Sequence, residues 1–257
     1  MRSSLLKPIL LSGTLMVAAA ASFLLVAQTP APAAKAAPKA ATTKANSTPA
    51  KAAPAAKSTA AKSTAAKSTL NLLNPASLKE KAPGIYVVKL ETTKGNVVIR
   101  VTKLWAPQGA ERFYNLVKAG FYDNCYFFRS LDFMVQAGIS SKAEINRVWA
   151  DKNLQDDRRI ETNIRGRVTY ANTGEPNSRG TQIFINKLDV NRRLDSAPSP
   201  FVPFGEVVEG MDVVDKIYTG YEGNVSQQLF TNQGEAYLNR NFPRLDKIIK
   251  ATIIATP

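Results

Sequence analysis

Residues 86–102 read YVVKLETTKGNVVIRVT and indicate the fold class of the whole chain. In the second half of this stretch Val97, Ile99 and Val101 occupy every other position, which is the period of a β-strand. The residues Thr-Lys-Gly at 93–95 separate this run from a similar one before it. We therefore predict two strands, Tyr86–Thr92 and Asn96–Thr102, joined by a turn.

Two helices are predicted further along the chain. Pro107 suits the first turn of a helix over Ala106–Ala119, and Gly120 suits the residue just beyond its end. A second helix is predicted over Met211–Tyr218, and a short helical turn over Gly234–Asn239.

Short apolar runs make up most of the remaining segments and favour β-structure. They predict strands at Tyr126–Phe128, Phe133–Ala137, Val168–Asn172, Gln182–Asn186, Val202–Val207 and Asp246–Ile254. Many short strands with only two clear helices argue against a parallel β-α-β sheet. We predict a mainly β fold, a closed antiparallel barrel with helices plugging its ends.

Charge is distributed unevenly along the 257 residues, whose formal net charge is +14. Residues 1–69 hold nine Lys and Arg and no Asp or Glu, so residues 70–257 carry only +5. In that second part the basic residues do not cluster with aromatic residues between them, so we expect no nucleic acid partner. Residues 70–257 are long enough for one substantial core, and we predict a single globular domain there.

Residues 1–27 have a basic start followed by the apolar run ILLSGTLMVAAAASFLLVA at 9–27. This pattern is typical of a cleaved secretory signal, and the run is also nearly long enough to be an uncleaved anchor. Both alternatives predict an exported protein, periplasmic or otherwise extracytoplasmic. The second would tether it to the inner membrane through residues 9–27.

Residues 28–69 consist mostly of Ala, Pro, Lys, Ser and Thr, with three copies of Ala-Ala-Lys-Ser-Thr over 55–69. Without large apolar side chains this tract cannot bury enough surface to offset its ordering entropy, so we predict a disordered linker. The simplest interpretation is a spacer. The alternative is that its seven lysines make weak contact with an anionic envelope surface.

The chain contains one cysteine, Cys125, and no histidine. An intramolecular disulfide, a Cys/His zinc site, and Ser-His-Asp or Cys-His nucleophilic catalysis are therefore excluded. We expect neither a metal nor a cofactor. Because no coiled-coil or other assembly pattern is evident, we expect a monomer.

Six motifs occur in a characteristic order within the predicted domain. They are Phe127-Phe128-Arg129, Phe133-Met134-Val135-Gln136, Ala171-Asn172, Gly180-Thr181-Gln182-Ile183-Phe184-Ile185, Leu194-Asp195 and Phe204-Gly205-Glu206-Val207-Val208-Glu209-Gly210. In this order and spacing they resemble the cyclophilin family of peptidyl-prolyl cis/trans isomerases. The resemblance implies a closed eight-stranded antiparallel barrel with two capping helices, acting on proline-containing polypeptide segments.

The implied reaction requires no histidine, metal or nucleophile. Resonance in the peptide bond before proline opposes rotation with a barrier of about 18–20 kcal/mol. Rotation leaves a lone pair on the prolyl nitrogen, so a fixed cation that donates a hydrogen bond there stabilises the twisted state selectively. The composition that excludes the other catalytic classes is compatible with this one.

The resemblance implies two catalytic residues, Arg129 as the cation and Gln136 as the glutamine that orients it and meets the substrate backbone. The implied substrate-binding residues are four that line a proline pocket, two whose backbone binds the residues before proline, a further polar residue of the groove, and a replacement for the usual groove histidine. In that order they are Phe133, Met134, Phe184, Leu194, Ala171, Asn172, Gln182 and Phe201.

Each of these residues also has a simpler interpretation. Arg129 would otherwise be an ordinary surface arginine, and Phe133 and Phe184 would be core residues. Asn172 would be a turn-former, and Gln182 a solvated strand residue.

Besides Phe201 in place of the groove histidine, the chain departs from the family pattern in three places. Only Ser130-Leu131-Asp132 separates Arg129 from Phe133, where many family members have four residues, and Asp132 adds a carboxylate that can pair with Arg129. Arg193 replaces a tryptophan that contributes to cyclosporin binding in the family, so we expect weak sensitivity to the drug. Residues 139–162 match no motif, and we expect them to shape access and substrate preference.

Two other functions are also compatible with the sequence. The shortened loop and Asp132 motivate a cyclophilin-fold binding module or chaperone with weak or no isomerase activity. The lysine-bearing linker motivates a structural tether to envelope polymer.

Overall fold

The computed structural model describes residues 71–189, 192–199 and 201–256. The predicted signal or anchor over residues 1–27 and the predicted linker over residues 28–69 lie outside the described residues. Within the described part, no helix combines the length and the apolar character needed to cross a membrane.

The described residues form a nine-stranded sheet in which every strand pair is antiparallel. The strands are β1 Ile85–Thr92, β2 Gly95–Thr102, β3 Cys125–Tyr126, β4 Arg129–Ser130, β5 Met134–Ala137, β6 Arg167–Tyr170, β7 Ile183–Asn186, β8 Pro203–Glu209 and β9 Lys247–Ala255. Across the sheet their order is β3-β9-β1-β2-β8-β6-β7-β5-β4.

Short helices accompany the sheet in the described ranges. They are α1 Pro107–Lys118, α2 Ala143–Trp149, α3 Arg192–Asp195, α4 Met211–Asp215, α5 Gln227–Gln233 and α6 Glu235–Asn241. Single 3-10 turns lie at Pro75–Ser77 and Lys103–Trp105.

The predicted first hairpin is confirmed. β1 pairs with β2 so that Thr92 lies opposite Gly95, and the Thr92 hydroxyl donates to the Gly95 carbonyl at 2.7 Å. Gly95 has a φ of +133°, which a residue with a side chain rarely adopts. Alternate side chains of both strands, including Val88 and Ile99, are fully buried, as the period of the sequence predicts.

Helix α1 packs on the buried face of this hairpin and forms the centre of the core. Phe113 and Leu116 are fully buried, and the Phe113 ring lies 5.1 Å from that of Phe204 in β8. The buried Tyr86 hydroxyl donates to the Ala110 carbonyl at 2.6 Å. Burial of each large apolar side chain stabilises the fold by about 1.5–3 kcal/mol, so this contact fixes the helix on the sheet.

The two outermost strands of the sheet are joined directly by the chain. β3 ends at Tyr126 and β4 begins at Arg129, with only Phe127 and Phe128 between them. Consecutive Cα atoms are about 3.8 Å apart, so the two sheet edges approach within about 11 Å there. The sheet therefore curls until its edges meet, and the backbone links them where the described residues show no ladder from β3 to β4.

The prediction of a mainly β antiparallel fold is confirmed, with two differences of detail. The described residues contain nine strands where eight were predicted, because the chain bends at Phe127-Phe128 and the added strand β4 follows the bend. Phe127 packs into the main core and Phe128 into a second cluster, so the two side chains hold the bend from opposite sides. The predicted barrel was closed, whereas the sheet is open between β3 and β4 and the covalent link joins its two edges.

Of the two predicted capping helices, α1 agrees closely with its prediction and α4 is shorter. The sequence predicted a helix over Met211–Tyr218, but α4 ends at Asp215. The Tyr218 N–H donates to the buried Asp246 carboxylate at 2.8 Å, which draws the backbone away from the helical path. The helical turn predicted near Gly234–Asn239 is present as α6.

A buried arginine fastens the long segment before β6 to the rest of the domain. Arg179 is 1% exposed, and its guanidinium contacts the carboxylates of Asp156 at 3.2 Å and Asp157 at 3.0 Å. Asp157 also accepts the backbone N–H groups of Gln108 and Gly109, at 2.9 and 3.0 Å, in the first turn of α1. Asp157 therefore shares in neutralising a buried cation and also caps the main helix.

We predict that Asp157→Ala lowers the free energy of unfolding by about 3 kcal/mol, because it leaves a buried charge with one partner fewer and removes the cap. Urea denaturation of the full chain measures this. The matched control is Asp151→Ala, which removes an exposed carboxylate paired with Lys152 and is expected to leave the midpoint unchanged. Equal midpoints for both variants and the wild type would contradict the role of Asp157.

Candidate functional site

A groove of about 630 Å³ opens beside strands β4, β5 and β7 and is bordered by helices α2 and α5. All ten residues that the sequence motifs select line this groove. They are Arg129, Gln136, Phe133, Met134, Ala171, Asn172, Gln182, Phe184, Leu194 and Phe201. The structure thus brings the ten together, while the role of each one stays a prediction.

Arg129 is the one charged side chain among the described residues that line the groove. It is half-buried in β4 and lies directly opposite Gln136 of β5 in the antiparallel register. Its Nη1 donates to Gln136 Oε1 at 3.4 Å. The wall around it is built from apolar and neutral polar side chains, so the positive charge is concentrated at one point.

The short connection after Arg129 forms a tight hairpin. The Leu131 N–H donates to the Met134 carbonyl at 2.8 Å, and Ser130 pairs with Val135. Asp132 is exposed at the tip, and within the described residues no ion pair joins it to Arg129. The ion pair between Asp132 and Arg129 that the sequence suggested is therefore not found among the described residues.

The apolar part of the groove lies on the face of the sheet that also carries Gln136. Met134 and Phe184 are each 4% exposed, and Phe184 lies opposite Gln136 across the β5–β7 ladder. The ring of Phe201 stands edge-on to that of Phe184, with centroids 5.6 Å apart. The Phe201 N–H donates to the Leu194 carbonyl at 3.1 Å, which holds these two residues side by side.

Ala171 and Asn172 also line the groove, and hydrogen bonds hold both residues in place. The Ala171 N–H donates to the Gln182 carbonyl at 2.9 Å, and the Asn172 amide donates to the Ser199 carbonyl at 3.1 Å. The Asn172 Oδ1 accepts the Gly174 N–H at 3.0 Å, a local turn contact. The turn-forming interpretation of Asn172 therefore describes its side chain, and binding of substrate by its backbone stays a prediction.

A buried asparagine that sequence reasoning missed holds the far end of the groove. Asn163 is fully buried, and its amide nitrogen donates to Asp195 at 2.8 Å and to the Phe201 carbonyl at 2.9 Å. Its oxygen accepts from Thr169 at 3.0 Å and from Asn186 at 3.1 Å. With both ends of the amide satisfied, Asn163 fixes the Phe201 segment against strands β6 and β7.

Two helices that the sequence reasoning missed also line the groove, α2 through Asn146 and Trp149, and α5 through Gln227 and Thr231. The Asn146 amide donates to the Thr231 carbonyl at 3.3 Å and so ties the helices together. Start and stop signals for α5 were available in the sequence.

These signals are Ser226 and Gly234. The Ser226 hydroxyl accepts the Leu229 N–H at 3.3 Å as an N-cap, and Gly234, with φ +64°, directly follows the last residue of α5. For α2 the available signal was the four-residue spacing of the buried side chains Ile145 and Trp149.

Cys125 lies behind the groove, and contacts with the backbone hold its side chain in place. Its sulfur accepts the Gly138 N–H at 3.2 Å and contacts the Ile139 carbonyl at 3.3 Å. Burial raises the pKa of the Cys125 thiol to about 12, so it stays protonated at neutral pH. A thiolate nucleophile is therefore not available from this residue.

We predict that Gly138→Ala is at least about 2 kcal/mol more destabilising than Gly174→Ala. Both glycines have positive φ, +108° and +92°, so both substitutions carry backbone strain. A Cβ at Gly138 would lie 2.5 Å from the Thr181 carbonyl oxygen, whereas nothing lies within 4 Å of a Cβ at Gly174. Comparing the two variants by thermal denaturation separates the effect of the steric clash at position 138 from that of backbone strain. Equal losses of stability would show that the backbone near Thr181 can move to accommodate the Cβ.

Known proteins similar to this chain include many prolyl isomerases. The family model described as "Cyclophilin type peptidyl-prolyl cis-trans isomerase/CLD" matches residues 87–234. A peptidyl-prolyl cis-trans isomerase of Acinetobacter baylyi is 33% identical over 133 residues, which cover 51% of this chain and 71% of the relative. The peptidyl-prolyl cis-trans isomerase B of Escherichia coli is 29% identical over 174 residues, covering 66% of this chain and 99% of the relative.

Among solved structures, a cyclophilin type peptidyl-prolyl cis-trans isomerase of Cryptosporidium parvum, determined in the presence of the dipeptide Ala-Pro, is also similar. It is 16% identical in sequence and superposes with a TM-score of 0.49. The match covers 66% of this chain and 99% of that one.

Proposed function

The chain belongs to the cyclophilin family of peptidyl-prolyl cis-trans isomerases, and from this premise we propose that Arg129 stabilises the twisted X-Pro amide in the groove. The observation that supports this role is the placement of Arg129. It is the one charged side chain among the described residues of the groove, and it stands beside an apolar pocket.

The proposed reaction is electrostatic and forms no covalent bond with the protein. Rotation about the X-Pro bond removes its conjugation, and the prolyl nitrogen gains a lone pair that the planar amide does not offer. A guanidinium that donates to this lone pair binds the twisted state more strongly than either planar isomer, and only such selective binding raises the rate. The guanidinium remains charged throughout.

The geometry leaves the guanidinium with donors for the substrate. Arg129 has five N–H groups, of which Nη1 donates to Gln136. That contact restricts the plane of the guanidinium while the other donors can reach the amide. A charge-assisted hydrogen bond contributes about 1.5–3 kcal/mol, which corresponds to about a 10- to 150-fold acceleration.

The apolar residues position the substrate in this proposal. Phe133, Met134 and Phe184, with Leu194 and Phe201, surround a space in which a proline ring would be shielded from water. Holding the ring still while the preceding carbonyl turns converts binding energy into orientation. We propose proline-containing polypeptide segments as the substrates.

We predict that Arg129→Ala lowers kcat/KM for isomerisation of an Ala-Pro peptide by about 10- to 100-fold, because it removes a hydrogen bond made only in the twisted state. NMR exchange spectroscopy on the full chain measures cis/trans interconversion directly. The control is Arg240→Ala, which removes an exposed arginine of α6 and should leave the rate unchanged.

Unchanged isomerisation by Arg129→Ala would contradict the proposed role of this residue. A wild-type chain that binds the peptide but does not accelerate exchange would instead support the binding-module alternative.

We also propose that the isomerase acts on exported proteins outside the cytoplasm. The support is the basic start and apolar run of residues 1–27. In a bacterial host we expect the C-terminally tagged full chain outside the cytoplasm, and the variant lacking residues 1–27 inside it.

Fractionation and the mass of the recovered protein measure this prediction. Loss of the N-terminal segment from a periplasmic protein would identify a cleaved signal, and an intact chain in the membrane pellet would identify an anchor. Cytoplasmic recovery of the full chain would contradict export. A variant lacking only residues 28–69 should be exported normally, because the linker is not part of the signal.

A further inference from the structure

A chain of three side-chain amides runs from Arg129 to helix α5. Arg129 Nη1 donates to Gln136 Oε1 at 3.4 Å, and Gln136 Nε2 donates to Gln182 Oε1 at 2.7 Å. Gln182 Nε2 then donates to Gln227 Oε1 at 3.2 Å. Gln227 is the first residue of α5 and belongs to none of the sequence motifs that the resemblance supplies.

All the hydrogen bonds of this chain point in one direction. Each amide accepts on its oxygen from the side of Arg129, and Gln136 and Gln182 donate through their nitrogens away from it. A guanidinium can only donate, so Gln136 must turn its oxygen toward Arg129 for the contact to exist. Gln136 then needs an acceptor for its own amino group, and Gln182 needs another in turn.

We infer that Gln227 is a positioning residue for Arg129, because its oxygen supplies the last acceptor of the chain. Without it, the contact with Gln136 alone sets the orientation of the Gln182 amide, which can rotate by 180° and exchange its oxygen and nitrogen. The Gln182 amino group would then face the Gln136 amino group, and Gln136 would turn its own amino group toward the guanidinium. Arg129 would lose its acceptor and with it a fixed plane.

The segment that carries Gln227 is well anchored in the domain. Phe230 of α5 is fully buried, and its ring lies 6.1 Å from that of Phe128 and 6.3 Å from that of Tyr126. Phe128 directly precedes Arg129 in the chain. The same packing contact therefore sets the position of α5 relative to strand β4.

The loop before α5 touches the Arg129 strand directly. The Ser130 N–H donates to the Glu222 carbonyl at 3.1 Å. A Cβ at Gly223 would lie 3.6 Å from Arg129 Nε, which places the backbone of this loop against the arginine side chain. Residues 222–227 thus approach the catalytic group both through the main chain and through the end of the amide chain.

This inference rests on the proposed role of Arg129, and its test separates the two. The variants, made in the full chain, are Gln227→Glu, which keeps an acceptor, and Gln227→Met, which keeps the length and removes the amide. Gln227→Lys offers only donors. The matched controls are Gln228→Met and Gln228→Lys, at the next exposed position of the same helix.

We expect Gln227→Met to lower kcat for Ala-Pro isomerisation by about three- to tenfold, the range of one neutral hydrogen bond, with KM changed less than twofold. Gln227→Lys should lower kcat further, Gln227→Glu should retain wild-type kcat, and both Gln228 variants should match the wild type. The melting temperature of each variant should lie close to that of the wild type. If a variant lost kcat because it unfolded, its melting temperature would fall as well.

Equal kcat for Gln227→Met, Gln227→Lys and the wild type, together with an inactive Arg129→Ala, would overturn the role of Gln227 and leave that of Arg129 intact. If Arg129→Ala is as active as the wild type, the proposed function of Arg129 fails instead. A loss in Gln227→Glu equal to that in Gln227→Met would also overturn the inference, because an acceptor would then not suffice.

Discussion

The covalent link Phe127-Phe128 between the two outermost strands is the constraint on which the rest of the domain depends. Two residues cannot span more than about 11 Å between Tyr126 and Arg129, so the nine-stranded sheet must curl until β3 and β4 nearly meet. The curled sheet then encloses α1 and the core on one side. After the bend, Arg129 lies in the short edge strand β4. This strand contacts β5 and the loop before α5.

The site illustrates how little reactive chemistry prolyl isomerisation requires. The groove holds one cation and several apolar side chains, and the thiol behind it stays protonated at neutral pH. A barrier that comes from resonance is lowered by binding the state in which resonance is lost. In the proposed mechanism the demand on the protein is therefore geometric: the guanidinium of Arg129 has to be held in one plane beside a shielded ring.

Two buried polar residues, Asn163 and Arg179, contribute to this geometry through paired hydrogen-bonding groups. Asn163 uses both ends of its amide to hold Phe201, and Arg179 is neutralised by two carboxylates, one of which caps α1. In the apolar interior an unpaired group would cost more than the pairing contributes, so such networks have a single low-energy arrangement. In our proposal, the amide chain from Gln136 to Gln227 extends the same principle to Arg129.

The sequence by itself determined the features that depend on neighbouring residues: the alternation of the first hairpin, the start and end of α1, and the motifs that bring Gln136 and Phe184 into one groove. The tertiary structure alone decided how the sheet closes, where α4 ends, and which polar residues meet. Gln182 and Gln227 are 45 positions apart, and a glutamine in a polar stretch looks the same whether it faces water or a distant amide. Hydrogen bonds between such residues follow from the path of the backbone, because local periodicity reports which face of an element is buried but not which partner it will meet there.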